Sequence, residues 1–294
     1  MALFLYLHSD RESLRAGRMV ESGLHWGPLF FAGKGKRMNV FVSHMIDDYE
    51  MRELIGRIGC NVESIEFSIA ENLDSFYSHL RSYEKRLSSM GCRKLIIHGP
   101  FLDLNPMAYD QYVVEITRKR YEQAYFAAQI LGAEKVIYHT CYIPGIYMLT
   151  GWADRMVDYW NRFMEDKQGI QVLMENVQDP VIEPILEVAD RVKHPDFGLC
   201  LDVGHANCYS KEAATKWARR LGRHIKHVHL SDNDGSRDSH MALGEGNAPL
   251  TETLSCIRFH NPDADYTIEC ASKEDVLKSI RWLQMNQERC ERTG

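Results

Sequence analysis

A chain of 294 residues that is 45% hydrophobic can bury one large α/β core or two small ones. Its formal net charge of −6 excludes a global basic field that would draw in nucleic acid, and no apolar run is long enough to span a membrane. The eight cysteines are scattered, with no C-x-x-C, and the start "MALFLYLHSDRESLR" lacks a basic leader and a small-residue cleavage site, so we expect free thiols in a cytoplasmic protein.

Residues 1–37 stand outside any rhythm. "GLHWGPLFFAGKGKR" is rich in glycine and aromatics and ends in the basic cluster Lys34, Lys36 and Arg37; it reads as an N-terminal extension, with Met38 as an alternative start. From Asn39 onward, short β-rich segments alternate with longer helical ones. The predicted strands are "NVFVSH" (39–44), "VESIEFS" (62–68), "KLIIHG" (94–99), "KVIYHT" (135–140), "QVLMEN" (171–176), "FGLCLDVG" (197–204), "IKHVHLS" (225–231) and "DYTIEC" (265–270). Between them, "AYDQYVVEITRKRYEQAYFAAQILG", "DRMVDYWNRFMEDKQ", "PVIEPILEVADRV" and "SKEDVLKSIRWLQMNQERC" place apolar residues three and four apart, and the serine of the last sits at an N-cap position. Eight such units over residues 38–294 predict a single-domain (β/α)8 TIM barrel; a doubly wound sheet is the rival, since the same alternation feeds both.

In a barrel, alternate strand residues point inward and the C-terminal strand ends form the reactive rim. The third strand ends in His98, the fourth in His139, the fifth in Glu175, the seventh in His229 and the eighth in Glu269; the sixth carries Asp202, with His205 three residues on, and the loop after the seventh carries Asp238 and His240. The residues beside them, Ile97, Leu201, Val203, Val228 and Ile268, are apolar. A lone histidine at a strand end is ordinarily a hydrogen-bonded structural residue. Six consecutive strands ending in His, Asp or Glu on one rim are a different matter, because burying so many ionisable groups is costly without compensation. Bound cations compensate, and imidazole mixed with carboxylate suits Zn²⁺, Mn²⁺, Fe²⁺ or Co²⁺. Cys141, Cys200 and Cys270 read as wall residues and His227, one layer deeper than His229, as a core histidine. His8, His25, His44, His79, His194, His224 and His260 have no supporting constellation.

The motifs "HGPFLDL" (98–104), "YHT" (138–140), "MEN" (174–176), "LDVGH" (201–205), "HLSD" (229–232), "DSHMALGEGN" (238–247) and "IEC" (268–270), in this order on successive strands, resemble the xylose isomerase-like TIM barrels, which include sugar isomerases and epimerases and the endonuclease IV family. The resemblance covers residues 38–290 and implies a shared metal site at Glu175, Asp202, His229 and Glu269. Similarity to the endonuclease IV branch adds His98, His139, His205, Asp238 and His240, a set for two or three metals. That branch has His-Pro-Gly at the fourth strand, where this chain has His139-Thr140-Cys141, and an Ala-Ala-Gly-Tyr-Asp-like run where this chain has "ANCYS".

Charge on the rim weighs against nucleic acid as a partner. No Lys or Arg occurs in 99–114, 140–152, 176–190 or 202–210, and the loop after the seventh strand supplies Arg237 alone. Phe101, Tyr142, Tyr147 and Trp152 offer aromatic walls instead. The expected function is a metal-dependent isomerase or epimerase of a small sugar-like substrate, using one to three divalent ions (Zn, Mn or Co), with room for a homo-oligomer. Glu175 and Glu269 serve as ligands and acid–base pair, His205 and Arg237 orient substrate, and Phe101, Tyr142 and Trp152 bind it. The alternative is an endonuclease IV-like phosphodiester hydrolase acting on abasic DNA.

Overall fold

Eight parallel strands pair in sequence order and close on themselves: β1 (Val40–Ser43), β2 (Asn61–Ser64), β3 (Leu95–His98), β4 (Lys135–His139), β5 (Gln171–Glu175), β6 (Phe197–Asp202), β7 (Ile225–Leu230) and β8 (Asp265–Ile268), which hydrogen-bonds back to β1. Closure is what separates a (β/α)8 barrel from a doubly wound sheet, whose outer strands stay unpaired on one side. The computed structural model describes residues 38–292, and side chains through Asn286. The expected extension, residues 1–37, lies outside the described residues.

Around the barrel run α1 (Asp48–Ile58), α2 (Ala70–Asp74), α3 (Phe76–Met90), α4 (Gln111–Leu131), α5 (Trp152–Met164), α6 (Glu183–Arg191), α7 (Val203–Tyr209), α8 (Ala214–Leu221), α9 (Leu250–His260) and α10 (Lys273–Arg292). The longer ones bury apolar stripes in the core. In α4 the stripe is Tyr121, Ala124, Tyr125 and Ala128, at the three- and four-residue spacing of one helix face. That helix starts where the Asp110 carboxylate accepts the Tyr112 N–H and stops at Gly132, whose φ of 68° suits a residue without Cβ. Ser272 caps α10 as expected: its hydroxyl accepts the Asp275 N–H at 3.1 Å and donates to the Asp275 carboxylate at 2.9 Å. No described helix is long and apolar enough to cross a membrane.

The strands all end one or more residues before the expected stretches do, and two of them are cut short for a common reason. The segment expected at 62–68 leaves the sheet after Ser64, whose hydroxyl accepts the Glu66 N–H, and Glu66–Ser68 forms a 3₁₀ turn. The segment expected at 197–204 ends at Asp202, whose Oδ1 accepts the His205 N–H at 2.6 Å and caps α7. In both, a short polar side chain bonds local backbone that would otherwise extend the ladder. The second case matters for function, because it places His205 in the first turn of a helix on the rim.

Inside the barrel, Phe41, Ile96, Ile137, Leu173 and Cys200 form a sealed apolar layer of their own. Beneath it lies a charged floor. Lys135 and Asp265, the first residues of β4 and β8, meet at 2.6 Å; Lys135 Nζ also donates to the Lys226 carbonyl at 2.9 Å, and Asn39 donates to the second Asp265 oxygen at 2.8 Å. With floor and apolar layer closed, the polar end of the barrel interior faces only the C-terminal rim.

Candidate metal centre

Strand alternation brings the six strand-end residues to one rim, with Glu175 between two groups. Its Oε2 faces His98 Nε2 at 3.5 Å and His139 Nε2 at 3.6 Å, and those two nitrogens are 3.2 Å apart. Its Oε1 faces His229 Nδ1 at 3.2 Å. The same Nδ1 is 3.4 Å from Glu269 Oε1 and 3.9 Å from Asp202 Oδ2. Beyond them, Asp238 Oδ2 lies 2.9 Å from His240 Nε2 and 3.4 Å from His205 Nε2. All nine residues expected as ligands therefore converge.

Hydrogen bonds to backbone carbonyls fix how several imidazoles point. A carbonyl only accepts, so the ring nitrogen facing it carries a proton, and in the neutral ring the other nitrogen keeps a lone pair. His98 Nδ1 lies 2.9 Å from the Gly99 carbonyl, His205 Nδ1 2.9 Å from that of Asn176, and His240 Nδ1 3.1 Å from that of Glu269. In all three, Nε2 is turned toward a carboxylate, and in the neutral ring its lone pair would be directed there, the arrangement of a metal-binding imidazole held from behind.

Several atoms at the centre have no hydrogen-bond partner although buried: Glu175 Oε2, Asp202 Oδ2, His229 Nδ1 and Asp238 Oδ1. Each such orphan costs about 1–3 kcal/mol. Ligand atoms of His98, His139 and Glu175, and of Glu175, Asp202 and His229, lie within 4.8 Å of one another. Orphaned atoms, convergent lone pairs and a nitrogen–oxygen donor set fit divalent metal. Ionisation without metal carries the strain of that crowding. Burial pushes His139 down to about 3 and Asp202 up to about 7. Burial also opposes the charged forms of Glu175 and His240, yet the neighbouring imidazoles hold Glu175 well below the usual carboxylate range, and Asp238 holds His240 up at about 9.

The loop bearing Asp238 and His240 is shaped by Asp232. The backbones of Asp232 and Met241 exchange two hydrogen bonds, at 2.9 and 2.8 Å, closing the segment between them. The buried Asp232 carboxylate then accepts N–H groups from Asn233 at 2.9 Å, Gly244 at 2.9 Å and Ala248 at 3.1 Å. Gly246 has to be glycine, because a Cβ there would overlap the Asn233 carbonyl and the Asp232 carboxylate. His240 takes a φ of 46°, a strained value for a non-glycine residue that the closed loop imposes.

The centre opens into a cavity of about 180 Å³. Phe101 lines it and stacks on His139 with ring centroids 4.4 Å apart. Tyr142 and Trp152, expected to bind substrate, do not line it: both are buried in the hydrophobic core, edge to face at 6.2 Å, with Trp152 as the first residue of α5. Arg237, expected to orient substrate, is exposed in the loop and also lies outside the lining. Gln178 and Tyr209 line the cavity without having been singled out in the sequence. His44 and His79, isolated in sequence, face Asp48 at 3.2 Å and Glu66 at 2.7 Å, and Arg86 pairs with both carboxylates.

One residue of the centre escaped sequence reading altogether. Glu63 is fully buried on β2, with its Oε1 3.0 Å from His229 Nε2. Its signal was a carboxylate within a four-residue strand, flanked by Val62 on the opposite face. The core histidine His227 lies beside it, 0% exposed as the sequence suggested.

Comparison with known proteins agrees with this architecture. A family model described as xylose isomerase-like TIM barrel matches residues 58–285. An uncharacterised protein of Methanocaldococcus jannaschii is 28% identical over 206 residues, which are 65% of this chain and 69% of that protein. Among solved structures, a D-tagatose 3-epimerase-like protein aligns with a TM-score of 0.70 at 24% identity, covering 87% of this chain and 99% of its own. A Thermus thermophilus protein soaked with ZnCl2 aligns with a TM-score of 0.69 at 23% identity, covering 86% of this chain and 99% of its own. The two structures share the fold, and the family model spans seven of the eight strands; the chain belongs to the xylose isomerase-like TIM barrel family.

Proposed function

We propose that the chain is a metal-dependent isomerase or epimerase of a sugar or sugar-like small molecule. The observation that carries this reading is the placement of Glu175 and Glu269, which flank His229 Nδ1 at 3.2 and 3.4 Å beside a cavity of small-molecule size. Glu175, Asp202, His229 and Glu269 would hold one divalent ion, His98 and His139 with Glu175 a second, and His205, Asp238 and His240 a third. Zinc, manganese or cobalt suits these donors. Bound metal supplies Lewis acidity, polarising adjacent carbonyl and hydroxyl oxygens of the substrate.

The chain's own residues do the rest. One of the two glutamates removes the proton from the carbon beside the substrate carbonyl, leaving an enediolate. Protonation from the opposite face then inverts that carbon, whereas protonation at the neighbouring carbon isomerises the sugar. With the third position empty, His205, whose Nδ1 is tied to the Asn176 carbonyl, orients a substrate oxygen through Nε2. Phe101 supplies an apolar wall for the C–H face of the substrate. Among the described residues, neither Lys nor Arg lines the cavity, which fits an uncharged substrate.

The test is solvent exchange. Metal-loaded protein incubated with a ketohexose panel that includes D-tagatose in D₂O should place deuterium on carbon, and Glu269→Gln should abolish this at metal concentrations that restore occupancy. A second reading is favoured by one observation: two of the three tight candidate ligand groups share Glu175, and the Asp238–His240 pair stands beyond them, the set expected of an endonuclease IV-like hydrolase. Metal-dependent nicking of abasic duplex DNA, lost in Glu175→Gln and unaccompanied by exchange, would put that reading first.

A further inference from the structure

His229 is the reverse of its neighbours. His98 and His240 turn Nδ1 to a carbonyl and Nε2 to a carboxylate, and His205 turns Nδ1 to the Asn176 carbonyl, with Glu175 and Asp202 oxygens also 3.4 Å from it, and Nε2 to Asp238, whereas His229 turns Nδ1 to the carboxylates and Nε2 downward. Below it stands no carbonyl but Glu63 Oε1, at an ion-pair distance of 3.0 Å, and both of these buried atoms are without a hydrogen-bond partner. The other Glu63 oxygen accepts the Thr267 hydroxyl at 2.5 Å. That hydroxyl has one proton and gives it to Glu63, so toward His227 Nε2, 2.7 Å away, it can only accept. Direction therefore runs one way along the chain: His227 donates to Thr267, Thr267 to Glu63, and Glu63 is left to accept from His229. All four side chains are fully buried, so water cannot replace any member.

We propose that Glu63 is the positioning residue of the metal centre, taking the Nε2 proton of His229 so that its Nδ1 lone pair faces Glu175, Asp202 and Glu269, with Thr267 and His227 holding Glu63 in place. This rests on the metal reading above. A carboxylate behind a ligating imidazole fixes ring orientation and tautomer and raises ligand basicity, and its loss typically costs about 10–100-fold in metal affinity. Glu63 thus acts through His229 and touches neither metal nor substrate.

The experiment is Zn²⁺ titration of purified, metal-stripped full-length protein against a chromophoric chelator, with the unfolding midpoint of each metal-free variant recorded as a control for folding. Glu63→Met keeps the length but removes the acceptor, and should weaken Zn²⁺ binding about 10–100-fold. Glu63→Gln should recover much of the loss, because its amide oxygen still accepts from His229 while its NH₂ turns to Thr267. Thr267→Val, which leaves Glu63 itself intact, should weaken binding about fivefold, the value of one hydrogen bond, and Thr267→Ser should restore it. If Glu63→Met does not fold, the Thr267 pair decides alone. Binding by Glu63→Met within twofold of wild type, equal binding by Glu63→Met and Glu63→Gln, or equal binding by the two Thr267 variants overturns the proposal. Wild-type protein that binds no Zn²⁺, Mn²⁺ or Co²⁺ overturns the metal reading itself, a separate result from any of these.

Discussion

Replacing Asp232 by Asn should loosen the loop that presents Asp238 and His240 without disturbing the barrel. The carboxylate uses both oxygens: Oδ1 accepts from Asn233 and Ala248, and Oδ2 from Gly244. Asparagine keeps one carbonyl oxygen, which can serve the first pair, but its NH₂ then confronts the Gly244 N–H, donor against donor. One charge-assisted bond is lost, at about 1.5–3 kcal/mol, and a backbone donor is left unpaired beside a residue only 1% exposed. A total of about 3 kcal/mol translates, for a domain of this size, into a fall of roughly 6–12 °C in unfolding midpoint. Differential scanning calorimetry of metal-free protein reads this directly, and metal titration should lose affinity at the Asp238–His240 end. A midpoint within about 2 °C of wild type would show that Asp232 does not organise the loop.

Three further outcomes are expected. The paired imidazolium of His240, held at about 9 against 6.5 when unfolded, contributes stability that is fully present below pH 6.5 and lost as pH rises through 9. Metal-free protein should lose about 3 kcal/mol across that window, while metal affinity rises because ligands must be deprotonated; a flat metal-free profile counts against the Asp238–His240 pair. Lys135→Met strands Asp265 in the barrel floor and should cost about 3–5 kcal/mol by chemical denaturation, with a loss under about 1 kcal/mol showing the pair to be dispensable. Deletion of residues 1–37 should leave a folded barrel, since β1 pairs with β2 and β8 without them; aggregation or a large drop in midpoint would place that segment in the core.

The rim was legible because a barrel strand obeys a two-residue period. Once His98, His139, Glu175, His229 and Glu269 end their strands in phase, closure brings them together whatever the helices do. Asp238 and His240 were legible only through the resemblance of "DSHMALGEGN", because no periodicity governs a loop held by a single carboxylate. Glu63 was not legible: one glutamate in a short strand looks like any polar residue until the partner it meets from β7 is known. Tyr142 and Trp152 failed for the opposite reason. Proximity in sequence to the rim says nothing about whether a ring turns inward or toward a helix, and here both are buried in the hydrophobic core. Asp202 had two roles where the sequence suggested one, capping α7 through Oδ1 and leaving Oδ2 to the centre.

The charged floor of the barrel has a kinetic consequence. Lys135 and Asp265, under the layer of Phe41, Ile96, Ile137, Leu173 and Cys200, make the interior a vessel with a single mouth. Whatever enters past Phe101 and Tyr209 has to leave by the same opening, so under the proposed function product in the doorway and substrate outside it would exclude one another. On the proposed function, traffic of this kind would make product inhibit competitively with substrate, and residence in the mouth, rather than transit through the barrel, would be the step that side chains lining the entrance can tune.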